Sequence, residues 1–321
     1  MLNSVMSSLA AVPSLARLAK QLKPRPPETT DCLAARLEQT AASFPQHTAV
    51  TFEGRSVTWA EFNRRANQYA RQLQAAGIGK GDAVSLLMEN RIEYLVCVVA
   101  LNKLGAIGAL INTNLTGRSL IHCIAITESR LCIFGGECEA AIDDVRGSED
   151  LAALEGYLFV PDKGATTCPG WATDLDATAA GQAEDNLAET AQVTIADLAL
   201  YVFTSGTTGL PKASVMTNKR YLITASLSGS GGLRCDEKDC IYLCLPLYHG
   251  TALFLGAGAA FCTGASLFLR RKFSATAFLP EVREHGATCF IYIGEICRYL
   301  LATPEQEDDH VSPLTTIMGN G

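Results

Sequence analysis

From residue 48 onward the chain switches repeatedly between short runs of alternating or continuous apolar residues and longer stretches with helical spacing. Thr48-Ala49-Val50-Thr51-Phe52 is a β-prone run, Glu53-Gly54 turns it back, and residues 56–58 form its return. Thr58-Trp59-Ala60-Glu61 has the spacing of a capping box, with a hydroxyl at the helix start and a carboxylate three residues on. Phe62, Ala66, Tyr69, Ala70 and Leu73 then fall on one helical face, and Gly77 supplies the stop. Residues 83–88 are apolar apart from Ser85, which predicts a strand covered on both faces. Asn90-Arg91-Ile92-Glu93 repeats the cap signature ahead of a helix that ends near Gly105. Strand, helix and strand follow over residues 106–111, 118–125 and 130–134. Strands separated by helices of this length predict βαβ units, so the fold class is α/β, with parallel sheets flanked by helices.

Residues 161–191 break this rhythm. They are rich in Ala, Thr, Asp and Gly without a steady period, and read as a surface excursion or linker. Regular structure resumes with an apolar strand over residues 198–203. Before residue 28 the pattern differs again. Leu2, Val5, Met6, Leu9, Val12, Leu15, Leu18 and Leu22 recur mostly at three- or four-residue steps, with Arg17, Lys20, Lys23 and Arg25 near the end and Pro13 as an interruption. Residues 1–25 fit an amphipathic helix on a membrane surface, a plain helix docked on the domain, or an organelle presequence. The organisation expected is an N-terminal amphipathic segment and linker over 1–27 and one domain over 28–321. The apolar stretch 94–111 contains Asn102, Lys103 and two glycines, so it reads as a buried helix running into a strand rather than a membrane span.

Composition narrows the classes. With 48% hydrophobic and 18% charged residues, the 321-residue chain is globular and long enough for a large core. A net charge of −7 argues against a nucleic acid as partner. The twelve cysteines are scattered, several lie inside apolar runs, and no C-x-x-C pair occurs. They read as reduced, mostly buried thiols of a cytoplasmic protein.

The strand over 198–203 leads into Thr204-Ser205-Gly206-Thr207-Thr208-Gly209-Leu210-Pro211-Lys212. Six of the nine are Gly, Ser or Thr, and a lysine closes the run. Glycines let backbone approach a polyanion, hydroxyls and amide N–H groups donate to phosphate oxygens, and lysine adds a point charge. Pro211 stands where a Walker A loop requires glycine. A flexible turn between strands is the bland alternative for a generic loop of this kind, and the full string makes it remote.

Tyr201-Val202-Phe203 followed by residues 204–212 resembles the AMP-binding signature of the adenylate-forming superfamily, which includes acyl-CoA synthetases, luciferases and peptide-synthetase adenylation domains. Leu245-Pro246-Leu247-Tyr248-His249 resembles the family's second core motif. Tyr292-Ile293-Gly294-Glu295, Cys297-Arg298-Tyr299-Leu300-Leu301, residues 110–115 (Leu-Ile-Asn-Thr-Asn-Leu) and Gly319-Asn320-Gly321 resemble the fatty-acid transport protein and very-long-chain acyl-CoA synthetase branch. The resemblance covers about residues 30–321.

The resemblance implies the fold of the large N-terminal domain of such enzymes, and activation of a long- or very-long-chain fatty acid by ATP and Mg²⁺ to an acyl-adenylate and then, with coenzyme A, to acyl-CoA. Thr204, Ser205, Gly206, Thr207, Thr208, Gly209 and Lys212 would hold the phosphates, with Thr208 toward Mg²⁺ and Lys212 as a catalytic charge. Gly319, Asn320 and Gly321 would begin the adenine-contacting loop. His249 is either a structural histidine after an apolar strand or, through its motif, a catalytic residue near the α-phosphate and acyl carboxylate. Tyr292, Gly294 and Glu295 either line the acyl channel or reflect capping of a helix by Glu295. Residues 252–261 could flank an alkyl slot, and a close-packed core helix is the favoured reading.

The family's downstream Tyr-Gly-x-Thr-Glu-type motif, ribose-binding Asp and C-terminal lysine domain are not in the sequence. The expectation is that this chain alone neither completes thioester synthesis nor matches its parent's stability, with an open strand edge and uncovered apolar faces near residues 288–293 and 314–318. Two readings outside catalysis stay open: a non-catalytic nucleotide- or acyl-binding protein, and a membrane-associated lipid-uptake factor. Amino-acid adenylation is the rival within enzymes.

Overall fold

The computed structural model describes residues 19, 23–204 and 209–320. All but residues 19 and 23–25 of the candidate membrane-surface segment lie outside these. In chain order the first elements are α1 (Leu33–Ser43), β1 (Thr48–Phe52), β2 (Arg55–Thr58), α2 (Trp59–Ala75), β3 (Ala83–Leu87), α3 (Ile92–Lys103), β4 (Ile107–Leu110) and α4 (Gly117–Ile126). There follow β5 (Leu131–Gly135), α5 (Glu139–Val145), β6 (Gly156–Val160), β7 (Thr173–Asp174), α6 (Leu175–Ala179), β8 (Leu198–Thr204), β9 (Lys212–Thr217) and α7 (Asn218–Ser226). The last are β10 (Cys240–Leu243), α8 (Gly258–Thr263), β11 (Ser266–Leu269), α9 (Ala275–Glu284), β12 (Cys289–Ile293), α10 (Gly294–Leu301) and β13 (Thr316–Asn320).

The strands build two sheets. One has the order β7-β6-β5-β3-β4-β8-β9 and the other β13-β12-β10-β11-β1-β2. All neighbours are parallel except the terminal pairs β8–β9 and β1–β2. Helices α1, α2 and α3 lie between the sheets in one continuous core, while α4 and α5 cover the outer face of the first. The predicted layers are therefore present, and the reason is visible in β3. Val84 and Leu86 enter the inter-sheet core, Leu87 enters the outer one, and Ser85 bonds the Ser129 hydroxyl at 2.8 Å.

Helix α3 is buried at every residue except Glu93, as a helix that is apolar all round must be. Its two polar residues at the C-terminal end are satisfied. Asn102 accepts from Ala34 N–H at 2.9 Å and donates to the Asn218 side chain at 2.9 Å. Lys103 is fully buried against Glu38, and its pKa is pulled down by loss of water. Among the described residues no helix is long and apolar enough to cross a membrane.

Several local expectations are corrected. The Thr58–Glu61 capping box forms, but Asn90 does not cap α3: the N-cap is Arg91, with no side-chain cap bond. The amide of Asn90 instead reaches the other sheet. Residues 161–191 are more ordered than a linker, because Trp171 stacks on Phe134 and Leu175 and Ala179 are buried. Arg65 and Tyr69 on α2 both hold Asp176. Cys289, Phe290 and Ile291 are buried, with Phe278 of α9 packed 4.6 Å from Phe290, so the face expected to be bare near 288–293 is covered up to Ile291, while Ile293 stays exposed. Strand β13 does form a sheet edge, with Ile317 60% exposed. The cysteines are buried or half-buried.

The sheets are joined where β3 ends. Glu89 accepts from Arg271 at 3.2 Å, and Arg271 also binds Glu53 at 3.0 Å and Asp162 at 2.7 Å while lying over the Phe52 ring. Arg91 is 2% exposed and donates to the carbonyls of Pro161 at 2.7 Å and Val160 at 3.0 Å, with Asp162 at 3.3 Å. The Arg271 hydrogen bonds hold Glu53 below its ordinary 4.5. Burial pushes Asp162 up from 3.8, and its bonds to Arg271 and neighbouring groups outweigh that and hold it below. Glu137 beside Arg91 runs the other way, raised by burial.

A carboxylate held low stabilises the fold above its ordinary pKa, and that contribution is lost as pH falls through the lowered value. Arg271→Ala should therefore lower the unfolding free energy at pH 7 by about 3 kcal/mol, because Asp162, Glu53 and Glu89 lose their shared cation. The stability difference between pH 7 and about pH 3 should shrink in the variant. Urea unfolding at both values measures this; an unchanged difference would show that Arg271 does not hold those carboxylates.

Candidate functional site

Strands β8 and β9 are antiparallel neighbours, with Thr204 opposite Lys212. The glycine-rich segment is thus the connection of a hairpin, and its ends lie side by side at the carboxyl end of β8. Ser205, Gly206, Thr207 and Thr208 lie outside the described residues, as does Gly321. Thr204 and Lys212 are exposed and Gly209 has φ +92°, a left-handed conformation that glycine adopts without strain. The Pro211 carbonyl accepts from the His122 ring of α4 at 3.0 Å, which ties the loop's return to the outer helix layer.

Above Thr204 a cavity of about 500 Å³ opens. Its walls come from three places: Leu110 at the end of β4 with Asn112 and Leu115 beyond it; Phe203, Thr204, Gly209 and Pro211 of the hairpin; and Tyr248 with His249 from the turn after β10 on the other sheet. The carboxyl ends of strands from both sheets therefore face one another across a cleft, the usual place for a ligand in parallel α/β folds. The Tyr248 and His249 rings pack with centroids 4.6 Å apart. Burial raises the Tyr248 pKa, with Thr113 and Asn114 as its side-chain partners. Partial burial at the cleft lowers the His249 pKa, which favours the neutral imidazole, while the residue as a whole stays exposed at the cavity.

Thr204, Gly209 and His249 are brought together here, and Lys212, outside the cavity lining, opens β9 opposite Thr204. Tyr292, Gly294, Glu295, Gly319 and Asn320 form a second group outside the residues lining this cavity. They occupy the carboxyl ends of β12 and β13 and the start of α10, with Tyr292 opposite Gly319 and Ile293 opposite Asn320. Glu295 lies in the first turn of α10 and makes no cap bond: the N-cap is Ile293, and no side chain bonds the helix start. Its carboxyl, held low by Tyr299 and Arg298, faces solvent in an ion pair with Arg298. Residues 252–261 are core, as favoured: Ala252, Leu253, Ala257, Ala260 and Phe261 are buried, and the Leu253 carbonyl accepts from Tyr221 at 3.0 Å. Nothing in the sequence marks Asn112, Leu115 or Tyr248 as cavity walls, although they lie within the 110–115 and 245–249 motifs.

A sequence profile described as AMP-binding enzyme matches residues 37–321. A medium/long-chain-fatty-acid–CoA ligase of Mycobacterium tuberculosis is 35% identical over 297 residues, which is 92% of this chain and 47% of that protein. Long-chain fatty acid transport protein 2 of Rattus norvegicus is 34% identical over 313 residues, 96% of this chain and 49% of that protein. An anthranilate–CoA ligase solved in complex with anthranoyl-AMP superposes with a TM-score of 0.83 at 23% identity, covering 92% of this chain and 55% of that one, a likeness of fold. The chain thus spans about half the length of the curated relatives it matches.

Gly319 offers a direct check on the second group. A Cβ there would lie 2.5 Å from the Tyr292 carbonyl oxygen and 2.8 Å from its ring. Gly319→Ala should therefore destabilise the protein by about 1–3 kcal/mol, as overpacking does. Because backbone blocks the site, Tyr292→Ala in the same chain should restore only part of the loss. Chemical denaturation of the single and double variants measures both, and an undisturbed midpoint for Gly319→Ala would refute the β12–β13 register.

Proposed function

The chain belongs to the AMP-binding enzyme family, and from that premise we propose that it carries the phosphate-binding part of a site that activates a long- or very-long-chain fatty acid with ATP and passes it to coenzyme A. The observation that carries this reading is the convergence of Thr204, Gly209 and Pro211, at the two ends of the hydroxyl- and glycine-rich segment, with His249 on one cavity between the two sheets. The names of the relatives add the substrate class.

The chemistry asks for such a site. A carboxylate is a poor electrophile because oxide is a poor leaving group. Its oxygen attacks the α-phosphorus of ATP, the bond to pyrophosphate breaks, and a mixed anhydride forms. The thiol of coenzyme A then attacks the acyl carbon and AMP departs. The first step depends on positioning and on charge compensation. Thr204, Ser205 and Thr207, with the backbone N–H groups of the segment, would hold the β- and γ-phosphates. Lys212 would balance the charge that grows on departing pyrophosphate. A neutral His249 keeps one ring N–H to donate toward the α-phosphate or the acyl carboxylate from the opposite wall.

Among the described residues no three His, Cys, Asp or Glu side chains converge on a metal-sized site. By the family resemblance, the protein group proposed for Mg²⁺ is the Thr208 hydroxyl, and the ion would neutralise phosphate charge there. Gly319, Asn320 and Gly321 are proposed to border the adenine, and Tyr292, Gly294 and Glu295 the acyl chain. Peripheral membrane contact is proposed for residues 1–25 of an N-terminal segment and linker over 1–27, with residues 28–321 proposed as a cytoplasmic domain.

In a full-length form, Lys212→Ala should weaken pyrophosphate production at limiting ATP by about 1.5–3 kcal/mol, the loss of one charge-assisted contact. Fatty-acid binding should change less, since Lys212 is assigned to phosphate alone. Pyrophosphate release and equilibrium binding of a long-chain fatty acid measure the two effects, and equal activity of variant and parent at limiting ATP counts against the assignment.

A further inference from the structure

We propose that Asn90 is the positioning residue of the cleft, holding the turn that carries His249 at a set distance from the phosphate-binding hairpin; the inference rests on the site reading above. Asn90 follows β3, between the seven-stranded sheet and the inter-sheet helix α3, and is 4% exposed. Its Oδ1 accepts from the Leu247 N–H at 2.8 Å. Its Nδ2 donates to the carbonyls of Leu245 at 2.8 Å and Arg270 at 2.9 Å. All three partners belong to the other sheet: Leu245 and Leu247 to the turn after β10, and Arg270 to the residue after β11.

Only an amide fits this set of partners. It places one acceptor and two donors on a short stem, whereas a carboxylate offers acceptors alone and a hydroxyl one donor. The reversed amide would set its oxygen against two carbonyls and its NH₂ against an N–H, so the partners themselves determine its orientation. The amide is also not spent on its own helix, since α3 has no side-chain cap bond.

His249 lies two residues beyond Leu247. The turn between them is closed by the His249 N–H donating to the Pro246 carbonyl at 3.0 Å, and the His249 carbonyl accepts from Leu253 N–H at 3.1 Å. One side of the turn is therefore fastened to the helical segment that follows, and the other to the seven-stranded sheet through Asn90. Arg271, next to the Arg270 that Asn90 grips, is bound by Glu89, next to Asn90 itself. Consecutive residues of one sheet thus hold consecutive residues of the other. His249 and Thr204 stand on opposite walls, so any slip between the sheets alters the span that a bound phosphate must bridge. A displacement of about 1 Å is enough to cost on the order of a hundredfold in rate.

The test compares Asn90→Asp and Asn90→Ala in the full protein with Leu37→Ala, a core substitution in α1 that lowers stability away from the cleft. Asn90→Asp keeps the acceptor for Leu247 and sets an oxygen against the two carbonyls. It should lower kcat for ATP–pyrophosphate exchange about ten- to hundredfold, with KM for ATP within about threefold. NMR titration of the His249 ring should show its pKa moving toward the ordinary 6.5. Leu247 amide exchange should stay slow in Asn90→Asp and accelerate in Asn90→Ala. Leu37→Ala should leave kcat and the His249 titration as in the parent. The proposal is overturned if Asn90→Asp leaves kcat and the His249 titration unchanged, or if Leu37→Ala shifts both equally. Absence of exchange activity in the parent would defeat the functional reading alone, because the His249 titration and Leu247 exchange still decide what Asn90 does.

Discussion

Two parallel sheets form one cleft only if their carboxyl ends are held against each other; Glu89 and Asn90 provide that hold, and Arg91 braces the same corner from within the seven-stranded sheet. Each reaches different partners: Glu89 the Arg271 guanidinium, Asn90 three backbone groups, and Arg91 the carbonyls of Val160 and Pro161 with Asp162. Burying a guanidinium costs several kcal/mol, and that cost is offset here only because directed acceptors and carboxylates surround it. The arrangement contributes little net stability compared with the apolar core on either side. What it supplies is direction, since hydrogen bonds of this length tolerate little sliding while apolar faces tolerate much more.

The inter-sheet core makes such directional contacts necessary. Helix α3 is apolar over most of its surface, and a buried apolar cylinder has no preferred rotation or shift of its own. Its orientation is set by polar groups at its two ends: residues 89–91 at one, and the Asn102–Asn218 pair with Lys103–Glu38 at the other. The hairpin with Thr204 and Lys212 belongs to one sheet and His249 to the other, so the geometry of the cleft inherits the precision of these few polar contacts. A site that works by holding phosphates and an acyl carboxylate in line needs that precision more than it needs strong binding.

Much of the fold was legible along the chain because its signals are local. The capping box at Thr58, the single helical face from Phe62 to Leu73 and the doubly covered strand at 83–87 are consequences of spacing and residue type. The Thr204–Lys212 string was legible for the same reason: glycine, hydroxyl and lysine chemistry is concentrated in one segment. The misreadings share the opposite cause. Asn90 carries a cap signature, yet its amide serves partners more than 150 residues away. Residues 161–191 look like a linker because they bury only a few side chains, and those pack on α2 and β5 rather than on one another.

What the sequence by itself determined, then, is the alternation of elements, the parallel sheets it implies, and the identity of the segment able to cradle phosphate. Each depends on neighbours within a few turns or one hairpin, where spacing dictates which side chains share a face. Tertiary structure alone decided that Leu110, Asn112 and Leu115 wall the same cavity as Tyr248 and His249, and that Tyr292 and Gly319 face each other in a separate group. It also decided that an asparagine beside a helix start joins two sheets. Those relations follow from which strand carboxyl ends meet, and that is set by packing two sheets around one shared layer of helices, a constraint no local spacing contains.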